Sequence, residues 1–212
     1  MIKVTKIVYL ALLILILTVS SAYAQNSIAV IWEAPSQWME KDSNVKALEA
    51  KLKVVLPASE YVLQPLETTN SKVAAYRLSH NLSGNSKTDA PPKLTTDAVL
   101  NLAAGNDYAM LLRMDAIVSD YFPCYDYLPH TDIANYVFNI VDIKVYKTKT
   151  RKLLYKKQFM SKAANNGANA FFAIKYIDRI SQDRKDEIFQ KAFEKCLENF
   201  SFDASHIHRL EN

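Results

Sequence analysis

DYAMLLRMDAIVS (residues 107–119) and YVFNIVDIKVYKTKTRKLLYKKQFM (residues 136–160) decide the fold of this chain. From Tyr108 the even positions Tyr108, Met110, Leu112, Met114, Ala116 and Val118 are all apolar. The odd set mixes Leu111 and Ile117 with Arg113, Asp115 and Ser119. That alternation predicts a half-buried strand. A second strand starts at Tyr136, with Val137, Val141, Ile143 and Val145 on one face and Tyr136, Phe138, Ile140, Asp142, Lys144 and Tyr146 on the other. A third runs from Leu153 to Met160 after a short polar turn, so the last two strands form a hairpin.

The remaining segments supply cover and connections for these strands. Ile28 to Trp32 is a short apolar run ended by Glu33-Ala34-Pro35, which suits a strand buried on both faces. Ser43 is placed to cap a helix in which Val45, Leu48, Leu52 and Val55 share one face before Pro57 stops it. Tyr61 to Gln64 is a short strand closed by Pro65, which has no N–H to give a ladder. A helix is expected between Thr68 and Leu82, with Val73, Tyr76 and His80 toward the core. Residues 83–92 form a loop, and Thr95 or Thr96 caps a short helix that Gly105 closes. After the hairpin, Asn165-Asn166-Gly167 makes a turn and Ala168 to Ile180 favours helix. A last helix, capped by Asp183, carries the stripe Ile188, Phe189, Ala192, Phe193, Cys196, Leu197 and Phe200. The expectation is a single α/β domain over residues 25–212, with one mixed sheet of about five strands in the order β-α-β-α-α-β-β-β-α. Residues 201–212 carry no signal of their own and are expected to be a flexible tail.

Ahead of this domain, Lys3 and Lys6 precede an unbroken apolar run from Ile7 to Leu17, and Ala22-Tyr23-Ala24 stands before Gln25. The pattern is that of a secretory signal peptide over residues 1–24, with the mature chain exported to the periplasm or beyond the cell. The apolar core is too short to cross a bilayer comfortably. Gln25, not a lipid-bearing Cys, stands directly after the cleavage point, and no later stretch is apolar enough to span. Cleavage leaves 188 of the 212 residues. Losing Lys3 and Lys6 takes the net charge from +4 to +2.

The charge that matters is local. No Asp or Glu occurs from Ile143 to Ile177, whereas Lys144, Lys147, Lys149, Arg151, Lys152, Lys156 and Lys157 place seven basic residues in fourteen. Such a field attracts anionic partners and weakens with salt. After export those partners are acidic protein faces, lipid head groups or wall polymers, not nucleic acid. The plainer account is that lysines keep an edge strand from pairing with other chains.

The sequence offers little chemistry. Gly occurs only at 84, 105 and 167, so no phosphate-cradling loop can form, and neither a Gly-x-Ser-x-Gly turn nor a His-Glu-x-x-His pair is present. These absences speak against an enzyme, and nothing calls for a cofactor. In the loop from Tyr121 to Asp132, Asp126, His130 and Asp132 could ligate a metal or pair as base and orienter. That loop is the basis of the alternative, a secreted enzyme or ligand-binding protein. Its plainer role is an aromatic cover over the sheet end. His206 and His208 could add imidazoles, although a short tail usually leaves them solvated. Arg113, Asp115, Asp142 and Lys144 suggest cross-strand charge pairs on a solvated sheet face. Cys124 and Cys196, the only cysteines, would meet an oxidising compartment. A bond closing about 70 residues stands beside the reading of Cys196 as a small core residue.

The element order, the Ile28-Ala29-Val30-Ile31 opening strand, the run Leu102-Ala103-Ala104-Gly105-Asn106-Asp107-Tyr108 and the Val141-Asp142-Ile143-Lys144-Val145-Tyr146 strand turning into Lys152-Leu153-Leu154-Tyr155 together resemble a known family. It is the small secreted α/β domain shared by the N-terminal domain of the Tol-system propeller protein, the curli-secretion lipoprotein and penicillin-binding-protein activator lipoproteins. The resemblance covers nearly the whole mature chain. It implies a non-enzymatic periplasmic module that binds other envelope proteins. Two departures stand out: the turn Lys147 to Lys152 lacks the family's frequent Asp and Gly, and the lipid-bearing Cys is missing.

Overall fold

The computed structural model describes residues 25–82, 91–119, 136–164, 182–205 and 207. Five strands, β1 (Asn26–Glu33), β2 (Tyr61–Leu63), β3 (Tyr108–Ser119), β4 (Tyr136–Lys147) and β5 (Lys152–Ala164), form one mixed sheet in the order β2-β1-β3-β4-β5. The helices are α1 (Ser36–Met39), α2 (Asp42–Val55), α3 (Leu66–Ser79), α4 (Thr96–Leu102) and α5 (Gln182–Asn199). β1 pairs in parallel with both β2 and β3, while β3, β4 and β5 are antiparallel. The expected α/β class and single mixed sheet are therefore observed. Helix α1 is an addition, one turn too short to leave a periodic pattern in the sequence.

Because side chains alternate across a strand, the sheet sorts its residues into two cores. Ile28, Val30, Trp32, Met110, Leu112, Ile143 and Val145 face α1, α2 and α5, together with Leu48, Leu52, Phe189, Phe193 and Cys196. Ala29, Ile31, Ala109, Leu111 and Tyr146 face α3 and α4, with Val73, Val99 and Leu100. β1 is apolar on both faces because helices cover both.

The first core reaches further along the chain than its sequence pattern suggests. Phe202, Ala204 and Ile207 are buried in it, so the flexible tail expected from Ser201 is corrected for these residues. Three apolar side chains at uneven spacing show no period, yet Phe202 meets Tyr155 edge-on at 5.0 Å. Three helix starts also differ from expectation: α5 begins at Gln182, with Asp183, its expected cap, inside the first turn. α2 begins after Lys41 with no side-chain cap, and α3 begins directly after Pro65, whose fixed φ suits a helix entry. His80 is exposed and stacks on Tyr76 at 4.0 Å instead of facing the core. Thr95 caps α4, its hydroxyl accepting from the Ala98 N–H at 3.2 Å, and Gly105 takes φ 91° beyond it.

At the start of β3, Asp107 ties two strands together. Its Oδ2 accepts from the Ser27 N–H at 2.8 Å and from the Ser27 hydroxyl at 2.7 Å. These hydrogen bonds, helped by nearby Lys147 and opposed by partial burial, hold the Asp107 carboxyl below its ordinary pKa. A carboxyl with a depressed folded-state pKa stabilises the fold above the unfolded value, about 3.9, and loses that contribution as pH falls through the folded value. Asp107 is exposed, so solvent screening limits the effect to about 1 kcal/mol or less. Asp107→Asn is expected to be less stable than the native chain at pH 7, with the difference shrinking as pH falls through the acid range, in urea melts across that range.

Candidate functional site

β4 and β5 close over a four-residue loop, since Lys147 pairs with Lys152. Arg151, the last loop residue, sits at φ 57°, the left-handed conformation that a Gly or Asn adopts more cheaply. The loop is anchored from outside. The Thr148 N–H donates to the Asp107 carbonyl at 2.9 Å, and the Arg151 guanidinium pairs with Asp97 at the start of α4.

A bulge beside Val145 and Tyr146 then determines where the lysines go. It places Leu154 and Tyr155 both toward the α5 side, where each packs on the first core. By register, Lys144 and Lys156 stand opposite one another on the α3–α4 face, and Lys147 and Lys152 lie on the α5 face. Lys157 also points to the α5 face, with Nζ 3.2 Å from the Ser201 hydroxyl and 5.9 Å from the Phe159 ring. Lys147 Nζ stands 5.2 Å over the Tyr108 ring. Lys149 and Arg151 occupy the exposed tip. The seven basic residues therefore do not make one flat patch. They surround the tip and flank both sides of β5, the last strand of the sheet.

A second polar assembly lies where β1 and β3 end, and sequence reasoning missed it. Glu33 is 1% exposed, while Arg77 and Arg113 are 9% and 8% exposed. Glu33 Oε1 accepts from Arg77 Nη2 at 2.5 Å and from the Leu94 N–H at 2.9 Å, and its Oε2 accepts from Arg113 Nη1 at 3.3 Å. Arg113 grips Asp115 with two bonds of 2.8 and 3.0 Å and donates to the Pro91 carbonyl at 3.1 Å. Arg77 donates to the Pro92 carbonyl at 2.8 Å. Two cations and two anions balance, and the chain on both sides of residues 83–90 is bound to the strand ends. Burial and neighbouring Arg113 lower the Arg77 pKa against the pull of Glu33. For Arg113, burial is outweighed by the bonds to Asp115 and Glu33, which raise it. The expected solvated charge pairs on this face are corrected: Arg113 is buried and serves a structural cluster. The available signal was Arg77, a charge on the Leu66, Thr69, Val73 stripe of α3 where an apolar residue belongs.

The loop containing Cys124, Asp126, His130 and Asp132 lies outside the described residues, as do the signal peptide expected over residues 1–24, the turn and helix expected over 165–180, and His206 and His208. Cys196 is buried beneath the sheet, and burial pushes its thiol pKa up to about 12, so it holds its proton at neutral pH. A cleft of about 550 Å³ opens between α1, α2 and α3, lined by Asp42, Lys46, Glu49, Glu67 and Asn70 among others. Its charged groups come from α2 and α3. Among the described residues, no three His, Cys, Asp or Glu side chains come together to hold a metal, and no helix is long and apolar enough to cross a membrane.

No protein-family model matches the chain, and no curated protein matches it. Among solved structures it is similar to a lipoprotein of Neisseria meningitidis, at 12% identity over 82% of this chain and 99% of that one, with a TM-score of 0.37. A neuraminyllactose-binding hemagglutinin homolog of Helicobacter pylori shares 12% identity over 90% and 89% of the two chains, with a TM-score of 0.39. The LpoB C-terminal domain of Salmonella enterica shares 10% identity over 65% and 83%, with a TM-score of 0.33.

Proposed function

We propose that this protein is an exported, non-enzymatic module of the cell envelope that binds an anionic protein or other anionic envelope component through the β4–β5 hairpin. The observation that carries the reading is the placement of Lys144, Lys147, Lys149, Arg151, Lys152, Lys156 and Lys157 around one hairpin in a chain whose mature net charge is only +2. The sequence signals for export and the filled cores on both faces of the sheet support it. Arg151 is partly committed to Asp97, so the hairpin's attraction rests mainly on its lysines.

The test is charge reversal at the tip, with Lys149, Arg151 and Lys152 all changed to Glu. Opposing a Glu at 151 to Asp97 costs at most about 1 kcal/mol, because both positions are exposed. The urea midpoint is thus expected to move little, whereas components captured by the mature protein from native envelope extract are lost. The native protein should release the same components as salt is raised. Retention of the same components by the folded triple variant at the same salt would mean that the lysines only guard an edge.

A further inference from the structure

The two edges of the sheet are built differently. β2 is three residues long, lies between Pro57 and Pro65, and offers almost no ladder to a newcomer. β5 spans thirteen residues, longer than most strands, and among the described residues it pairs only with β4. In an antiparallel edge strand, alternate residues turn their N–H and C=O away from the sheet. Between Lys152 and Met160 the exposed apolar side chains Leu153 (45%) and Met160 (66%) accompany the lysines on this edge.

We infer that β5 accepts an extended acidic segment of a partner as a sixth strand. This rests on the reading of the hairpin as the interaction surface and specifies how the surface is used. Lys156 projects from one face of β5 and Lys157 from the other. A flat anionic surface could meet only one of them. Successive side chains of a strand laid along the edge point to opposite faces, so two adjacent acids would reach both. A second copy of this chain is a poor occupant, because pairing β5 with itself would set lysines against lysines. Strand addition supplies affinity through main-chain bonds and selects partners by alternate side chains, which suits an edge whose lysines alternate between the two faces.

The experiment adds the capped peptide Thr-Val-Thr-Val-Glu-Glu-Val-Thr-Val-Thr to the mature protein and follows hydrogen exchange of the β5 amides. The alternate amides that point away from β4 are expected to slow at least tenfold, with the slowing reduced at high salt. The same peptide N-methylated at every second residue should produce no slowing, since it lacks one row of donors. Lys156→Glu combined with Lys157→Glu should lose the acidic peptide and respond to a version bearing two Lys instead. Equal binding of the methylated peptide would overturn strand addition while leaving a side-chain-only interaction surface intact. Binding of neither peptide, while tip reversal still abolishes capture from envelope extract, would likewise overturn strand addition alone. Slowing that appears with protein concentration in the absence of peptide would identify a second copy as the occupant and overturn the acidic assignment.

Discussion

Glu33→Ala is expected to lower stability by about 3 to 5 kcal/mol, the cost of removing one partner from a buried charge cluster. The carboxylate is 1% exposed and supplies the acceptors for Arg77 Nη2, Arg113 Nη1 and the Leu94 N–H. Removing it leaves two buried guanidinium groups facing each other with only Asp115 to balance them. It also removes the acceptor of the Leu94 N–H, leaving Pro91 and Pro92 held by the two arginines. Removing charges in balance should hurt less. Arg77 has Glu33 as the one acidic partner described for it, so Glu33→Leu with Arg77→Met leaves the Arg113–Asp115 pair neutral. That double variant is expected to be more stable than Glu33→Ala. Urea unfolding with the midpoint and slope fitted separately measures both. A loss under 1 kcal/mol for Glu33→Ala, at unchanged slope, would show that water or rearranged arginines satisfy the cluster.

Trp38→Ala is expected to cost about 3 to 5 kcal/mol, in the range for truncating a buried aromatic. Trp38 lies on the one-turn helix α1 and is 1% exposed. Its ring packs against Phe193 at 5.4 Å and Phe189 at 6.4 Å, and its Nε1–H donates to the Phe189 carbonyl at 2.9 Å. The same junction is fastened beside it. Asn44 donates to the Trp38 carbonyl at 3.2 Å and accepts from Gln190 at 2.9 Å. Residues about 150 positions apart in sequence thus lock the C-terminal helix onto the first core. Trp38→Phe keeps most of the packing and forgoes the indole donor, so its cost should be about 1 to 2 kcal/mol. Thermal or urea melts rank the three proteins. Equal stability of the Ala and native chains would mean that α5 is held by its sheet contacts alone.

Neither variant touches the lysines of the hairpin, so the two stability effects separate from the binding tests. A Glu33→Ala or Trp38→Ala protein that remains folded at low temperature should still present β5. Loss of partner capture by such a protein, measured where it is fully folded, would indicate that the surface extends beyond the hairpin.

Sequence by itself determined the α/β class, a sheet of about five strands, the hairpin, a cap for α4 at Thr95 or Thr96 and the turn at Gly105. Each of these depends on local alternation, helical spacing or a backbone preference that neighbours in the chain can express. It also determined that positive charge gathers between Lys144 and Lys157. Tertiary structure alone decided which face each charge occupies, because one bulge beside Val145 reverses the alternation along β5 and period 2 cannot register an inserted residue. Only tertiary structure joined Glu33 to Arg77 and Arg113, which lie 44 and 80 positions away. Such a cluster is stable only when strand ends and helix exclude water together, and no window of sequence contains its members. The same reason explains Phe202, Ala204 and Ile207: isolated apolar residues without a period become core when a sheet face is already waiting for them.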